Sequence, residues 1–499
     1  MNAVEFRDVH KSFGDIKAID GVSFEIRDND LHVLVGENGA GKSTLMNLLY
    51  GLYIPDSGEI RVRERSVKIK NPKSAIALGI GMVHQHFTLI NRFDAIDNAV
   101  LGSEPRNILF FDKGRAEERI RDLSKRFGIE VKLHTRVEDL SVGEQQKIEL
   151  LKVLYRDADT LIFDEPTAVL APQEIESLYG ILEELKRKGK TIIFITHKMR
   201  EVMRISDRVT VMRAGKSVVT IDRKELDPTT LGELIIGREL KHHKNKGTGK
   251  GGRDVLTIKN LHATGARGDE ALRGIEMKVL ENEVMGLAGV EGNGQRELVE
   301  VLLGLKRAEG GKILFCGQDM EKKSVKEHLS AGIGYVPEDR KSRGMVGEFK
   351  VYEDLILGQQ DRFSRFSFFD FNTIKKHSEN LVKTYDVRPG NIEMKTKNLS
   401  GGNQQKIILA RELSRAPQLL IAEQPSRGLD IGATEFVHEE ILNQKKRGSV
   451  LLISSDLEEI RSLSDRICVI FEGKIIAEFT REEGDEKRIG RAMMGNVSD

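Results

Sequence analysis

The sequence lacks tryptophan, has only two cysteines and contains no long apolar run. Cys316 and Cys468 give neither a disulfide framework nor a metal-spaced cluster, so a reducing cytosol is the natural compartment. No stretch of about 18 or more apolar residues is present, and the first residues lack the basic start and apolar region of a signal peptide. We therefore expect that the chain neither enters nor spans a membrane by itself. Lysine and arginine total 79 against 78 acidic residues, a net charge of +1 that excludes an overall basic field for nucleic acid or anionic lipid.

The chain has the length and composition of two globular domains. The chain contains 499 residues and is too long for one hydrophobic core. Its composition, 39% hydrophobic and 31% charged, is that of a globular protein. We predict domains at residues 1–240 and 254–499. The segment 241–253 between them is rich in glycine and lysine, which favours a solvated, flexible tether. A patch for nucleic acid or anionic lipid is the alternative for this segment.

A glycine-rich loop occurs twice, at residues 36–44 and 289–297. Each copy follows an apolar run, and in the first we predict a buried strand at 31–35 and a helix at 42–50. The first copy has the spacing G-x4-GK[ST], in which backbone amides wrap phosphates, Lys42 reaches the β- and γ-oxygens and Ser43 holds Mg²⁺. The candidate binding residues of this loop are Gly36, Glu37, Asn38, Gly39, Ala40, Gly41, Lys42, Ser43 and Thr44. The loop predicts a bound nucleoside triphosphate, and a chance glycine loop is the alternative.

Two carboxylates and a histidine follow apolar runs in the first half. Asp164 and Glu165 close the run 160–163, where a Mg²⁺ carboxylate and a general base are needed beside the phosphates. His197 follows the run 191–195, where a strand would deliver an imidazole to the γ-phosphate. The alternative for Asp164 and Glu165 is an acidic turn without a catalytic role. The alternative for His197 is a core or surface histidine. The β-branched runs are typical of parallel strands buried on both faces, which predicts an α/β sheet covered by helices.

A further motif, at residues 140–146 and 399–405, resembles the signature of ABC-type ATPases. Together with the glycine loops and the acidic strand ends, the resemblance covers nearly the whole chain. Two such cassettes without membrane helices resemble the tandem ATP-binding subunits of importers for simple sugars and nucleosides. The resemblance implies an α/β fold with two tandem cassettes, each with a β-rich subdomain, a RecA-like core and a helical signature subdomain.

The resemblance also assigns site residues. In this family two cassettes pack head to tail, and each ATP lies between one glycine loop and the signature serine of the other cassette. Gln85 would sense Mg²⁺ or water, so the implied metal residues are Ser43, Gln85 and Asp164, and the cofactors are ATP and Mg²⁺. Phe13 matches the aromatic that stacks on adenine, and a packed phenylalanine is the alternative. The residues expected from the second cassette are Ser400, Gly401, Gly402, Asn403 and Asp430.

In the second half of the chain, other residues replace those that would bind phosphate and Mg²⁺ or accept a proton. Gln295 and Arg296 replace Lys42 and Ser43. The other replacements are Gln424 for Glu165, Ser455 for His197 and Glu338 for Gln85. The acidic residue that Asp430 provides is absent from the matching residues 168–171, and Val142 interrupts the first signature. We therefore expect one hydrolytic site and one structural or allosteric site.

These features predict an ATPase subunit that energises import of a simple sugar or nucleoside. The implied partners are integral-membrane permease subunits and, indirectly, an extracellular or periplasmic solute-binding protein, with no nucleic acid. The expected location is peripheral, on the cytoplasmic face of the cell membrane. The alternative is a soluble tandem ABC ATPase acting on the ribosome or in regulation, but such proteins generally keep both sites intact. The solute, the permease and the number of copies stay open.

An aromatic cluster precedes a helical pattern in the second half. It comprises Phe363, Phe366, Phe368, Phe369 and Phe371. The same short motif occurs in the first half, so Asp112 and Asp370 are candidate helix N-caps. We favour packing within a subdomain for the aromatic residues, with a partner surface as the alternative.

Overall fold

The computed structural model describes residues 1–84, 87–107, 110–167, 170, 172–239, 245, 252–265, 268–365 and 368–496. The chain divides into two compact units, Met1–Leu240 and Lys241–Asp499. Within the described ranges, no helix is long and apolar enough to cross a membrane.

The first unit alternates strands and helices. Its strands are β1 (Asn2–Phe13), β2 (Ile16–Arg27), β3 (Leu31–Val35), β4 (Ser57–Val62), β5 (Arg65–Val67), β6 (Ile80–Val83), β7 (Arg106–Asn107), β8 (Phe110–Phe111), β9 (Thr160–Asp164), β10 (Thr191–Thr196), β11 (Arg208–Arg213) and β12 (Lys216–Asp222). Its helices are α1 (Lys42–Tyr50), α2 (Pro72–Ala77), α3 (Ala95–Val100), α4 (Lys113–Phe127), α5 (Val142–Tyr155), α6 (Pro172–Arg187), α7 (Met199–Ile205) and α8 (Pro228–Ile236).

The larger sheet of this unit has the order β12-β11-β3-β10-β9-β6. Strands β11, β3, β10, β9 and β6 are parallel to one another, and β12 pairs antiparallel at the edge. Every residue of β3, β9 and β10 is buried, which confirms the predicted strands with two covered faces. Because β3, β10 and β9 are neighbours, their carboxyl ends bring the residues that follow them to one edge of the sheet.

A second, antiparallel sheet packs on this core. Its order is β2-β1-β4-β5, and residues such as Val4, Phe6 and Ile19 share a hydrophobic cluster with Leu45 of α1. A separate cluster of Ala95, Val137, Leu140 and Ile148 lies in the region of α3 and α5. The unit therefore has the β-rich, sheet-core and helical parts that the resemblance implies.

The second unit repeats this element order. Its strands are β13 (Asp254–Thr264), β14 (Glu270–Leu280), β15 (Val284–Ala288), β16 (Gly310–Phe315), β17 (Gln318–Asp319), β18 (Ile333–Val336), β19 (Ser364–Arg365), β20 (Phe368–Phe369), β21 (Leu419–Glu423), β22 (Ser449–Ser454), β23 (Arg466–Phe471) and β24 (Lys474–Thr480). Its helices are α9 (Gln295–Leu302), α10 (Val325–Ser330), α11 (Val351–Leu355), α12 (Phe371–Thr384), α13 (Gly401–Leu413), α14 (Ile431–Lys445), α15 (Leu457–Leu463) and α16 (Glu486–Met493).

The sheets of the second unit correspond strand for strand to those of the first. The larger sheet has the order β18-β21-β22-β15-β23-β24, and the antiparallel sheet has the order β14-β13-β16-β17. The strand before the second glycine loop, β15, lies between β22 and β23, as β3 lies between β10 and β11. The duplication seen in the sequence is therefore also a duplication of topology.

The aromatic cluster is only partly packed. Phe363 is 7% exposed and belongs to the helical core of the second unit, but Phe368, Phe369 and Phe371 are 79%, 46% and 55% exposed. Subdomain packing is therefore wrong for these three, because Phe368 and Phe369 form the short hairpin strand β20 and Phe371 begins α12. Phe366 lies outside the described residues.

The two helix caps beside these aromatic residues are confirmed. Asp112 accepts a hydrogen bond from the Arg115 backbone N–H at 3.0 Å, and Asp370 accepts one from that of Thr373 at 3.1 Å. Each carboxylate satisfies a backbone donor in the first turn of its helix, α4 or α12.

Most of the predicted tether, 241–253, lies outside the described residues. Asn245 within it is 5% exposed and packs on the second unit. Its backbone N–H donates to the Ser462 carbonyl at 3.1 Å, and its side-chain amide donates to that of Leu463 at 2.9 Å. The Lys445 ammonium donates to Asn245 Oδ1 at 2.7 Å. These hydrogen bonds hold Asn245 against the second unit.

Candidate functional site

The first glycine loop joins β3 to α1 and is shaped by left-handed glycines. Gly39 and Gly41 have φ values of 84° and 97°, and Gly41 immediately precedes α1. A Cβ on Gly41 would lie 2.5 Å from the Ala18 carbonyl oxygen, so a side chain would not fit there. Lys42 is 5% exposed, and its ammonium donates to the Gly36 and Glu37 carbonyls at 2.7 and 2.9 Å. The loop thus holds a cation beside the N-terminus of a helix, which is an anion-binding arrangement.

Ser43 and Asp164 meet across this edge of the sheet. The Ser43 hydroxyl donates to Asp164 Oδ1 at 3.1 Å, although the residues belong to α1 and β9. Asp164 is 6% exposed. Burial raises the pKa of Asp164 above its ordinary value, against the opposing hydrogen bond from Ser43. A nearby cation would favour the ionised form of this carboxyl.

Glu165 and His197 form a second pair at the same edge. Glu165 Oε1 lies 3.1 Å from His197 Nδ1, and the two side chains are 18% and 14% exposed. Burial acts to raise the pKa of Glu165, but the hydrogen bond with His197 and the charges of His197, Lys42 and Lys198 outweigh it, so the pKa is lowered. The carboxylate is therefore ionised at neutral pH and able to accept a proton.

Phe13 and Gln85 complete the predicted site of the first unit. Phe13 ends β1, is 43% exposed and meets Tyr53 edge to face at 5.1 Å between ring centroids. Its ring is thus only partly packed. Gln85 lies outside the described residues, but β6, which ends two residues before it, pairs with β9.

The side chain of Gln295 bridges the second glycine loop. Gln295 is 8% exposed, its Nε2 donates to the Val290 carbonyl at 2.9 Å, and its Oε1 accepts from the Asn293 backbone N–H at 3.0 Å. The carboxamide therefore bridges the loop and uses a backbone donor that lies within it. Arg296, in place of Ser43, pairs with Glu300 at 3.0 Å.

The strand ends of the second unit have different partners from those of the first. Glu423, in place of Asp164, accepts a hydrogen bond from the Tyr335 hydroxyl at 2.5 Å. Burial raises the pKa of Glu423, and the hydrogen bond from Tyr335 opposes that shift. Gln424 Nε2 donates to the Ser455 hydroxyl at 3.0 Å, so an uncharged pair replaces Glu165 and His197.

Glu338, in place of Gln85, also has a charged partner. It forms an ion pair with Arg427, which also binds Glu291 at 2.7 Å. Arg427 therefore connects the second glycine loop with the segment after β18.

The signature helices of the two units differ at their N-termini. Ser141 caps α5, and Glu174 of α6 accepts hydrogen bonds there from the Gly143 backbone N–H at 3.1 Å and the Ser141 hydroxyl at 3.4 Å. In the second unit Ser400 caps α13. Ala433 takes the place of Glu174, and a Cβ added to Gly402 would lie 3.0 Å from the Ala433 methyl.

The other predicted residues of the second unit also lie near its signature helix. Asn403 Nδ2 donates to the Ser400 hydroxyl at 2.9 Å, and Gly401 is the first residue of α13. Asp430 caps α14 and accepts from the Ala433 backbone N–H at 2.9 Å. The structure thus brings the second-unit candidates together in their own unit.

Sequence reasoning missed Glu174 and a buried carboxylate, Glu201. Both can be found by comparing the two halves, since Glu174 has become Ala433 whereas Glu201 recurs as Glu459. Glu201 is 4% exposed and accepts hydrogen bonds from Thr167, two residues after Glu165, and from Thr196, which precedes His197.

Comparisons with known proteins identify the family of the chain. The sequence profile of the family described as ABC transporter matches residues 19–168 and 272–427. The guanosine import ATP-binding protein NupO of Bacillus subtilis is 44% identical over 497 residues, 99% of this chain and 98% of that protein. The nucleoside import ATP-binding protein NupA of Lactococcus lactis is 42% identical over 495 residues, again 99% and 98%. The glucose import ATP-binding protein TsgD13 of Haloferax volcanii is 41% identical over 525 residues, 99% of this chain and 96% of that protein.

The profile matches once in each unit and spans the glycine loop, the signature and the acidic strand end in both. This confirms the resemblance found from the motifs. The chain belongs to the ABC transporter family, as a protein of two ABC ATPase cassettes whose activity is ATP hydrolysis coupled to transport.

Proposed function

We propose that ATP is hydrolysed at the first unit and that this drives import of a nucleoside or simple sugar through a separate permease. The observation that carries the proposal is the meeting of Lys42, the Ser43–Asp164 pair and the Glu165–His197 pair at the carboxyl ends of adjacent parallel strands. The buried ammonium can contact the phosphates and the ionised carboxylate can accept the proton of an attacking water, which are two roles that phosphoryl transfer to water uses.

Each side chain has a distinct role in this proposal. Lys42 and the loop amides bind the β- and γ-phosphates of ATP, and Phe13 contacts the adenine. Glu165 accepts a proton from the attacking water, since its lowered pKa keeps it ionised. His197 orients Glu165 through their hydrogen bond and contacts the γ-phosphate. Gln85 has the water- or Mg²⁺-sensing role that the resemblance gives it.

Ser43 and Asp164 fit a magnesium ion. A hydroxyl and a carboxylate oxygen lie 3.1 Å apart there, and oxygen atoms are the ligands that Mg²⁺ prefers. The raised pKa of buried Asp164 also indicates a carboxylate that a cation would stabilise. Bound Mg²⁺ would neutralise charge on the phosphates of ATP. Gln85 is the third proposed metal residue.

The second unit supplies a structural or allosteric site in this proposal. Its glycine loop is bridged by Gln295, and Gln424 cannot accept a proton as a carboxylate does. The loss of a positioned base slows a step about 10²- to 10⁴-fold, or about 3 to 5.5 kcal/mol. These contacts support one competent site, at residues 36–44.

The signature residues of the second unit are assigned to ATP at the first glycine loop, as the family resemblance implies. These residues are Ser400, Gly401, Gly402, Asn403 and Asp430. The contrast at the two signature helices supports this assignment. Glu174 occupies backbone and hydroxyl donors at the N-terminus of α5 that a phosphate would use, whereas Ala433 provides no carboxylate at α13.

In this proposal the chain forms two cassettes, at residues 1–240 and 254–499, joined by the linker 241–253. The cassettes bind permease subunits at the cytoplasmic face of the membrane. Closure with ATP and reopening after hydrolysis would drive the permease. A solute-binding protein would act outside the cell, without contact with this chain. The relatives at 44% and 42% identity are named for guanosine and nucleoside import, and the one at 41% for glucose import, so a nucleoside or a simple sugar is the proposed solute.

The first experiment uses a tagged Glu165→Gln protein expressed in its native host. It is trapped with ATP, extracted from membranes in mild detergent, and its partners are identified by mass spectrometry. We expect a multi-helix permease, whose reconstituted complex then allows nucleosides and sugars to be compared as stimulators of ATPase activity. Recovery of ribosomal proteins without a membrane protein would instead support a ribosome-associated ATPase and overturn the import proposal.

A turnover measurement tests the single competent site. Glu165→Gln should lose ATPase activity about 10²- to 10⁴-fold, whereas the matched change Gln424→Ala should leave it within about twofold, since an amide there performs no proton transfer. Substantial activity in Glu165→Gln that disappears on changing the second unit would contradict this assignment.

A further inference from the structure

The residue proposed as the base has a strained backbone. Glu165 has φ 47°, in the left-handed region that side chains other than glycine rarely adopt. Its backbone N–H donates to the Ile195 carbonyl at 3.1 Å, which ties it to the strand that leads to His197. Such a conformation persists only where surrounding contacts hold it in place.

One buried carboxylate joins the two segments that carry Glu165 and His197. Thr167 lies two residues after Glu165, and its hydroxyl donates to Glu201 Oε1 at 2.5 Å. Thr196 immediately precedes His197, and its hydroxyl donates to Glu201 Oε2 at 2.6 Å. Each oxygen of Glu201 therefore holds one side of the catalytic pair.

Lys198 also contacts these groups, with a side chain that is 41% exposed. Its ammonium lies 3.2 Å from Glu201 Oε1 and donates to the Thr167 hydroxyl at 3.1 Å. Its backbone N–H donates to the Thr196 hydroxyl at 3.0 Å. Thr167, Thr196 and Glu201 are 3%, 2% and 4% exposed, so the two bonds from the threonine hydroxyls to Glu201 are shielded from water. A carboxylate is retained at such depth only with compensating partners, and here those partners flank the site.

We propose that Glu201 is a positioning residue for ATP hydrolysis, which aligns Glu165 with His197 by binding Thr167 and Thr196 together. It acts through the Thr167 and Thr196 hydroxyls, without itself touching ATP. The inference rests on the proposed function of Glu165 as the base. A displaced base reduces the rate of proton transfer without weakening the contacts of Lys42 with phosphate.

The second unit provides an internal control. Glu459 matches Glu201, is also 4% exposed, and accepts hydrogen bonds from Ser426 and Ser454, with His438 at 3.2 Å. The buried carboxylate is thus present in both units, but in the second it supports Gln424, which we assign no proton transfer. A role in folding predicts equal effects in the two units, and a role in positioning predicts an effect in the first alone.

The test compares Glu201→Gln and Glu459→Gln in the full chain. We expect kcat to fall about 10- to 100-fold in Glu201→Gln, since misplacement of a reacting group by about 1 Å costs up to about 100-fold. The KM for ATP, the stoichiometry of bound ATP and the melting temperature should stay close to those of Glu459→Gln. Glu459→Gln should itself keep kcat within about twofold, because its neighbours perform no proton transfer.

A pH profile adds a readout that loss of folded protein would not produce. Loosening the contact between His197 and Glu165 should raise the pKa of Glu165, so the acid limb of kcat moves to higher pH in Glu201→Gln alone. Thr196→Val removes one hydroxyl at nearly constant volume and should lower kcat, as Glu201→Gln does. If Glu201→Gln does not fold, Thr196→Val decides the question.

Two results would overturn the inference: an unchanged kcat in the folded variants, or equal losses of kcat and bound ATP in Glu201→Gln and Glu459→Gln. Glu165→Gln is measured in parallel to separate this failure from failure of the proposed function. Full activity in Glu165→Gln refutes the base assignment itself. Loss of activity in Glu165→Gln with an unchanged Glu201→Gln refutes only the positioning role.

Discussion

Changing Lys42 to glutamine gives the first glycine loop the side chain found in the second. In the second loop Gln295 joins the Val290 carbonyl to the Asn293 N–H at 2.9 and 3.0 Å. In the first loop the matching groups bond directly to each other, because the Ala40 backbone N–H donates to the Glu37 carbonyl at 3.1 Å. We therefore expect the carboxamide introduced by Lys42→Gln to insert between these two groups, as Gln295 does in the second loop.

The size of the effect follows from the contacts that are lost. Lys42 can supply charge-assisted hydrogen bonds to the β- and γ-phosphates, and each is worth about 1.5 to 3 kcal/mol. Two such bonds amount to at least about 3 kcal/mol, which corresponds to about a 100-fold weaker Kd for ATP. The fold should be little affected, because glutamine in the second loop occupies the same place with 8% exposure.

Isothermal titration of the full chain with Mg²⁺ and ATP measures this change. The matched control is Gln295→Ala, which alters only the loop that we regard as structural and should leave the tight binding event unchanged. Circular dichroism checks that each variant is folded. A Kd within about threefold of the unchanged protein in Lys42→Gln would refute the reasoning, since it leaves less than about 1 kcal/mol for the ammonium.

Further predictions concern pH, packing and capping. His197→Gln removes a charge that lowers the pKa of Glu165, so the acid limb of the kcat–pH profile should move to higher pH, and an unmoved limb would contradict the coupling. Phe163→Ala should lower the free energy of unfolding by about 3 to 5 kcal/mol, because this fully buried ring stacks against Phe194 at 6.4 Å; urea denaturation followed by circular dichroism measures the loss. Asp112→Ala should cost about 1 kcal/mol in the same assay, and no change would show that the cap contributes nothing.

Local spacing was sufficient to predict much of the first site. The glycine loop forms where an apolar strand meets a helix, and Asp164, Glu165 and His197 directly follow buried strands. Because parallel strands end at one edge of a sheet, the order of these motifs along the chain implies that their side chains converge. The caps Asp112 and Asp370 were likewise predictable, since an N-cap bonds within its own first turn.

The solvent exposure of Phe368, Phe369 and Phe371 was not predictable from local spacing. A run of phenylalanines is more often part of a core, and nothing in its spacing shows that Phe368 and Phe369 belong to a hairpin strand beside α12. Burial depends on what the rest of the chain places over a segment. The sequence pattern therefore identified the cap at Asp370 but not the surroundings of the rings beside it.

The sequence by itself determined the duplicated cassettes, the complete motifs of the first and the replaced residues of the second, because these depend on residue identity and short spacing. Only the tertiary structure decided how particular side chains act. Gln295 folds back across its own loop, Glu174 reaches the N-terminus of α5, and Glu201 joins Thr167 to Thr196. Glu174 lies 31 residues from Gly143 and Glu201 lies 34 residues from Thr167 along the chain, so these contacts depend on how helices pack against the sheet.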